Sequence, residues 1–327
     1  MQAQFDNVDL PPGVEANFSF LEKVPSAANS TPVTANTHDQ EVTKDVASSS
    51  SSNIASFDIV DDFSDHYYAN SGFKGQQPPR DWMKKIQDEW KILEKDLPGT
   101  IFVRAYEQRM DLLRAVIIGP AGTPYHDGLF VFDIHFPPTY PSVPPLAHYH
   151  AGGLRINPNL YDNGYVCLSL LNTWRGKGSE MWMPKQSTML QVLVSIQALI
   201  LNEKPYFNEP GYERTSGQDD GEKRARNYNR NIFILSLKTM IYTLRRPPLH
   251  FENLVAGHFR SRAKFILIAC RAYMEGVPIG STADDGTRYD KSETENFTRT
   301  VAGMINGLVS NFSRFGVTDL DQYRIGT

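Results

Sequence analysis

The sequence predicts an α+β fold. Three observations carry the prediction: one amphipathic helix near residue 81, strands separated by short turns after it, and helical stripes in the second half. Helices that follow a run of strands, rather than alternating with them, suit α+β architecture.

The first helix is marked by Asp81, a good N-cap, and by Met83, Ile86, Trp90, Leu93 and Leu97 at spacings of three and four. Pro98-Gly99 ends it. Lys84, Lys85, Asp88 and Lys91 occupy its other face, as a solvated face would. Residues 101–106 and 112–118 are apolar and partly β-branched, and Gly119-Pro120-Ala121-Gly122 punctuates them. Phe130, Phe132, Ile134 and Phe136 then alternate with Val131, Asp133 and His135, which specifies a strand register strongly. Short turns between consecutive strands imply an antiparallel meander. Pro137, Pro138, Pro141, Pro144 and Pro145 are too dense for a central strand and predict a rigid crossing at the sheet edge. A helix starting near Ser187 carries Leu190, Val192, Leu193, Val194, Ile196, Leu199 and Leu201, so it is apolar on most sides and should be buried.

Residues 213–222 are polar and read as a mobile linker. Three further stripes follow: Phe233, Leu237, Met240, Ile241 and Leu244, stopped by Pro247-Pro248; Phe265, Ile266, Ala269, Cys270 and Tyr273, ended by Gly276; and Phe297, Val301, Met304, Leu308 and Phe312. Cys270 lies on an apolar face, as a packed core residue would. At the other end, residues 1–75 lack sustained periodicity and include a serine run at 48–52. Such a segment buries too little apolar surface to offset its ordering entropy, so it is expected to be disordered and dispensable. The apolar-acidic patch 57–63 within it has the character of a strand added to a partner's sheet edge, or simply of a sticky spot in a tail. The chain thus divides into a disordered region (1–75), a core domain (76–245) and a helical C-terminal extension (246–327).

Of the 327 residues, 40% are hydrophobic and the net charge is −4, which argues against a general nucleic-acid binder or a basic membrane-surface protein. The two cysteines, Cys167 and Cys270, form no CxxC pair, so no metal site is expected. So sparse a count suits a reducing compartment. With no signal-like segment or bilayer-length apolar run, the expectation is a soluble protein of the cytoplasm, with the nucleus also open.

The candidate site lies in residues 140–184, where Cys167 sits in the run Tyr165-Val166-Cys167-Leu168. A free cysteine in an apolar strand is ordinarily a small core hydrophobe. The punctuation around it points elsewhere: Asn157-Pro158-Asn159 makes a turn, and Cys167 follows eight positions after Asn159.

The ordered set Gly119-Pro120, Thr123-Pro124-Tyr125, Gly128, Phe136-Pro137, Tyr140-Pro141, Pro144-Pro145, Pro158-Asn159, Gly164 and Cys167 resembles the ubiquitin-conjugating (E2) enzymes over about residues 80–212. Leu170-Leu171-Asn172-Thr173-Trp174-Arg175-Gly176-Lys177-Gly178, Met181-Trp182, 202–206 and Arg245-Arg246-Pro247-Pro248 look like the large branch that includes the hybrid E2/E3 enzyme. The patch at 61–66 is similar to plant members of that branch. The resemblance implies the E2 (UBC) fold: an N-terminal helix, a four-stranded antiparallel meander, an active-site loop and C-terminal helices.

It also implies an activity. Cys167 would accept ubiquitin from an E1 enzyme as a thioester and pass it to substrate lysines, with E3-like substrate selection or a separate E3 ligase both open. No cofactor is expected on the chain itself; ATP is used by the partner E1. Asn159 matches the residue that stabilises the oxyanion, although an asparagine in such a turn also bonds its own backbone well. Asn208 and Glu209 are the candidates for an acidic gate at the incoming lysine. Lys84 and Lys85 match basic E1-binding positions. Asn157 stands where most members have histidine, and Ser142 where a phenylalanine contacts RING-type ligases. A non-catalytic scaffold is the competing class, but such variants usually lack the cysteine; a carrier of another ubiquitin-like modifier is the third reading.

Overall fold

Alternating apolar residues in consecutive segments build a five-stranded sheet. The computed structural model describes residues 54–73, 77–174, 176–281, 286–289 and 291–326. Strands β1 (Phe57–Val60), β2 (Ile101–Tyr106), β3 (Arg109–Ile118), β4 (Leu129–His135) and β5 (Leu146–Tyr149) lie in sequence order. The pairs β2–β3, β3–β4 and β4–β5 are antiparallel, which is the expected meander, while β1 adds a parallel edge strand beside β2.

That fifth strand overturns part of the expected disorder. Residues 54–73 are ordered, and the patch at 57–63 pairs with the chain's own sheet rather than a partner's. The physical reason is three arginines on β2 and β3 that hold the segment by its backbone. Arg104 donates to the carbonyl of Ala55, Arg109 to those of Ala69 and Ser71, and Arg114 to that of Asp65. Residues 1–53 lie outside the described residues.

The first sheet face carries the main core. Helix α1 (Arg80–Asp96) presents Trp82, Ile86 and Leu93, and helix α2 (Met189–Ser195) presents Val192 and Leu193. They pack on Val103, Ala115 and Phe132. Helix α1 starts one residue before the expected cap: Pro79 precedes it, no side chain caps it, and Asp81 sits in the first turn. Its buried stripe is also rotated, with Trp82 rather than Met83 inside. The fourth member of that stripe is Glu89, which is fully buried and bonded on all sides. It accepts hydrogen bonds from Tyr140 Oη (2.6 Å) and Met189 N (2.9 Å), and Lys85 Nζ lies 2.7 Å away. One carboxylate therefore ties α1 to the proline crossing and to α2. Thr188 caps α2 reciprocally with Gln191, so the helix begins at Met189, two residues after the expected start.

The second face is covered in two halves. Phe102, Val116, Leu129 and Val131 pack against α3 (Asp219–Arg245), α4 (Glu252–Met274) and α5 (Lys291–Arg314). The C-terminal extension thus shares one core with the sheet and with α3. The expected linker is short, because 212–215 form a 3-10 turn and α3 begins at Asp219. The polar half, including Tyr106, Arg114, Asp133 and His135, lies under residues 61–71. Arg114 and Asp133 are both completely buried and pair through two hydrogen bonds of 2.6 and 2.9 Å. Asp65 adds a third at 2.7 Å. His250 Nε2 and the Asp62 carbonyl, 2.7 Å apart, join the two coverings.

Candidate active site

Cys167 sits at the end of a hairpin that β5 helps to hold. Leu160 bridges Val166, His148 bridges Tyr165, and Tyr149 N donates to Gly164 O at 2.8 Å. The Cys167 amide closes the hairpin on the carbonyl of Asn159 at 2.9 Å. Gly164 at its tip has φ +88°, and a Cβ there would collide with the His148 imidazole. The turn and close approach both require glycine.

Asn157 anchors the turn. It is fully buried and saturated: Nδ2 donates to Tyr125 Oη (2.8 Å) and Ile200 O (2.7 Å), while Oδ1 accepts from Asn159 N (2.9 Å). Asn159 Nδ2 donates to the carbonyl of Cys167 at 3.0 Å. An amide nitrogen carries two hydrogens, and this is its one bond among the described residues.

Cys167 as a whole is 4% exposed. Burial pushes its pKa up, the nearby Tyr161 hydroxyl and the Arg155 charge oppose this, and Glu209 reinforces burial. The Arg155 guanidinium stacks 4.5 Å above the Tyr161 ring. A cavity of about 40 Å³ is lined by Cys167 and Asn159 together with Leu170, Trp174, Leu199 and Ile200. Tyr161 and Arg155 were not singled out in the sequence. Tyr161 falls between Asn159 and Cys167, a position that offered a signal.

The two gate candidates separate. Asn208 is bound into the scaffold: its Nδ2 lies within 3.3 Å of Asn157 Oδ1, Leu199 O and Ile200 O, and its Oδ1 accepts from Asn202 at 2.6 Å. Glu209 shares the electrostatic field of Cys167, and burial pushes its carboxyl up against the pull of Arg155. On α1, Lys84 is exposed, whereas Lys85 is held by Glu89. Ser142 is exposed, and so is its neighbour Val143. Cys270, by contrast, is fully buried in α4 and its thiol is pushed up to about 12.

Helix, meander, proline crossing and a hairpin-borne thiol together define a class, the ubiquitin-conjugating fold. The profile of that family, ubiquitin-conjugating enzyme, matches residues 85–233. Over 268 residues the chain is 58% identical to ubiquitin-conjugating enzyme E2 26 of Arabidopsis thaliana, covering 81% of this chain and 49% of that protein. It is 56% identical over 272 residues to the Arabidopsis E2 38, covering 82% and 83% of the two chains. It is 42% identical over 202 residues to the human dual E2 ubiquitin-conjugating enzyme/E3 ubiquitin-protein ligase BIRC6, covering 59% of this chain and 4% of that one. The chain therefore belongs to the ubiquitin-conjugating enzyme family. It spans about half the length of E2 26.

Proposed function

We propose that Cys167 accepts ubiquitin from an E1 enzyme and transfers it to lysine. The Cys167 thiolate attacks the carbonyl of the E1-bound thioester, and the E1 thiol leaves. A lysine amine then attacks the new thioester, an isopeptide bond forms, and the Cys167 thiolate leaves. Both steps are acyl transfers without redox change. ATP is spent on the E1, and the chain itself carries no cofactor. The observation that supports this reading is the placement of the Cys167 thiol beside the Asn159 amide, at the end of a hairpin fixed on both sides.

The roles follow from position. The second N–H of Asn159, unpaired among the described residues, stabilises the oxyanion formed on the Cys167 thioester. Glu209, a carboxylate in the same field, receives the incoming lysine, leaving Asn208 as a scaffold residue. Lys84 offers its charge to the E1, while Lys85 is occupied. The polar, exposed Ser142 lacks the apolar anchor for docking a RING-type ligase. Two free thiols suit a reducing compartment, the cytoplasm or nucleus.

The test is incubation with E1, ATP and ubiquitin, read on non-reducing gels. The wild type gains one ubiquitin that thiol removes. Cys167→Ser gains a more stable oxyester, Cys270→Ser loads normally, and Cys167→Ala does not load. Loading that survives Cys167→Ala overturns the assignment. Loading only with another ubiquitin-like modifier replaces ubiquitin as cargo.

A further inference from the structure

A stacked pair of rings links the ordered segment 54–73 to the active-site hairpin. Tyr67 lies flat on His148, with centroids 3.5 Å apart and planes within 3°. The same imidazole fills the space that a side chain at Gly164 would need, and His148 bridges Tyr165 in the hairpin. Tyr67 is itself fixed from below: its amide donates to Asp133 Oδ2 at 2.7 Å, on the carboxylate that Arg114 and His150 also hold. Tyr68 continues the contact by stacking on His135. A run of touching groups therefore leads from the buried Asp133 through Tyr67 and His148 to Gly164, three residues before Cys167.

We infer that Tyr67 is a positioning residue for acyl transfer, clamping His148 so that the hairpin presents Cys167 and Asn159 to the thioester carbonyl in one geometry. This rests on the reading of Cys167 as the ubiquitin carrier. Three features support the clamp. Tyr67 is 59% exposed, so its ring contributes little to the core, yet it lies in full face contact with His148. The His148 ring is kept neutral near pH 7, because burial and the neighbouring His150 push its pKa down to about 4. A neutral ring stacks without a charge to desolvate. Finally, Gly164 has no side chain of its own to lock the tip, so the ring beneath it sets the tip's position. Small displacements at a reacting centre are costly, on the order of a hundredfold per ångström in rate.

The experiment compares wild type, Tyr67→Ala and Tyr67→Phe in the full chain. Three quantities are measured: the melting temperature, iodoacetamide alkylation of Cys167, and single-turnover discharge of the Cys167 thioester to free lysine. Tyr67→Ala is expected to melt near the wild-type temperature. Its Cys167, released from a tight hairpin, should alkylate several-fold faster, while its maximal discharge rate falls roughly tenfold at an unchanged half-saturating lysine concentration. Tyr67→Phe keeps the stack and should restore both. Alkylation and discharge both at wild-type values in Tyr67→Ala overturn the inference, as does a Tyr67→Phe variant as impaired as Tyr67→Ala. Alkylation needs no ubiquitin, so it tests the clamp even if the wild type fails to load, an outcome that would count against the carrier reading alone.

Discussion

Asn159 Nδ2 donates to the backbone carbonyl of Cys167 across 3.0 Å, while the Cys167 amide donates back to the carbonyl of Asn159 across 2.9 Å. The two residues close one ring, and its geometry links turn stability to chemistry. One Asn159 hydrogen locks the hairpin, and the other has no partner among the described residues.

Asn159→Ala should therefore load with ubiquitin nearly normally and discharge to lysine about a hundredfold more slowly, the cost of one lost oxyanion donor. During loading, the carbonyl under attack is bound to the E1, which can supply donors of its own. Single-turnover discharge measured beside the melting temperature separates the roles. Unchanged discharge in a stably folded variant rules out oxyanion stabilisation.

The Cys167 thiol should respond to its three neighbours with opposite signs. Tyr161→Phe and Arg155→Gln each remove a group that pulls the thiol pKa down, so alkylation near pH 7 should slow several-fold. Glu209→Gln removes a negative charge and should speed it. The pH dependence of alkylation checks all three; a common direction for the three variants would contradict the assignment of the field.

Arg114→Met should lower stability by about 3–5 kcal/mol, because it leaves the Asp133 carboxylate buried without its main partner. Burial alone would raise that carboxyl pKa; hydrogen bonds from Arg114 and His150 hold it well below the usual carboxylate range. Urea denaturation reads the loss. A change within ~0.5 kcal/mol, typical of surface sites, would show that the pair is not sealed from water.

Stability should fall on mild acidification because of the buried histidines. His66, His148 and His258 all have pKa values lowered by burial, that of His148 to about 4. A histidine depressed in the fold binds a proton more readily when unfolded. Its contribution is complete above the unfolded value, about 6.5, and is lost as pH falls towards the folded one. Denaturant midpoints should therefore drop between pH 7 and about 4. A flat profile over that window would contradict neutral, buried rings.

What the sequence disclosed follows from the range of the interactions. The α1 stripe, the β4 alternation and the proline crossing are local patterns, so their elements were legible, with α1 off by one position because a buried Glu89 replaced an apolar residue. Cys167 and Asn159 were legible through spacing within one hairpin. The ordering of 54–73 was not, because its anchors are arginines 38 to 49 positions away that bind mostly backbone carbonyls. A composition argument weighs side chains and misses such bonds. Arg155, Tyr161 and Glu209 likewise meet only when the hairpin and the 3-10 turn near Tyr206 fold together.

The divided cover of the sheet bears on how this protein can be cut. The span recognised by the family profile, 85–233, begins inside α1 and stops within α3. Expressed alone, that span would bare Phe102, Val116 and Val131 on one side, and would strand the Arg114–Asp133 pair in water without Asp65. Recombinant boundaries for this chain are therefore better placed before Ile54 and after Tyr323, and fragments drawn by homology should aggregate rather than serve as a minimal enzyme.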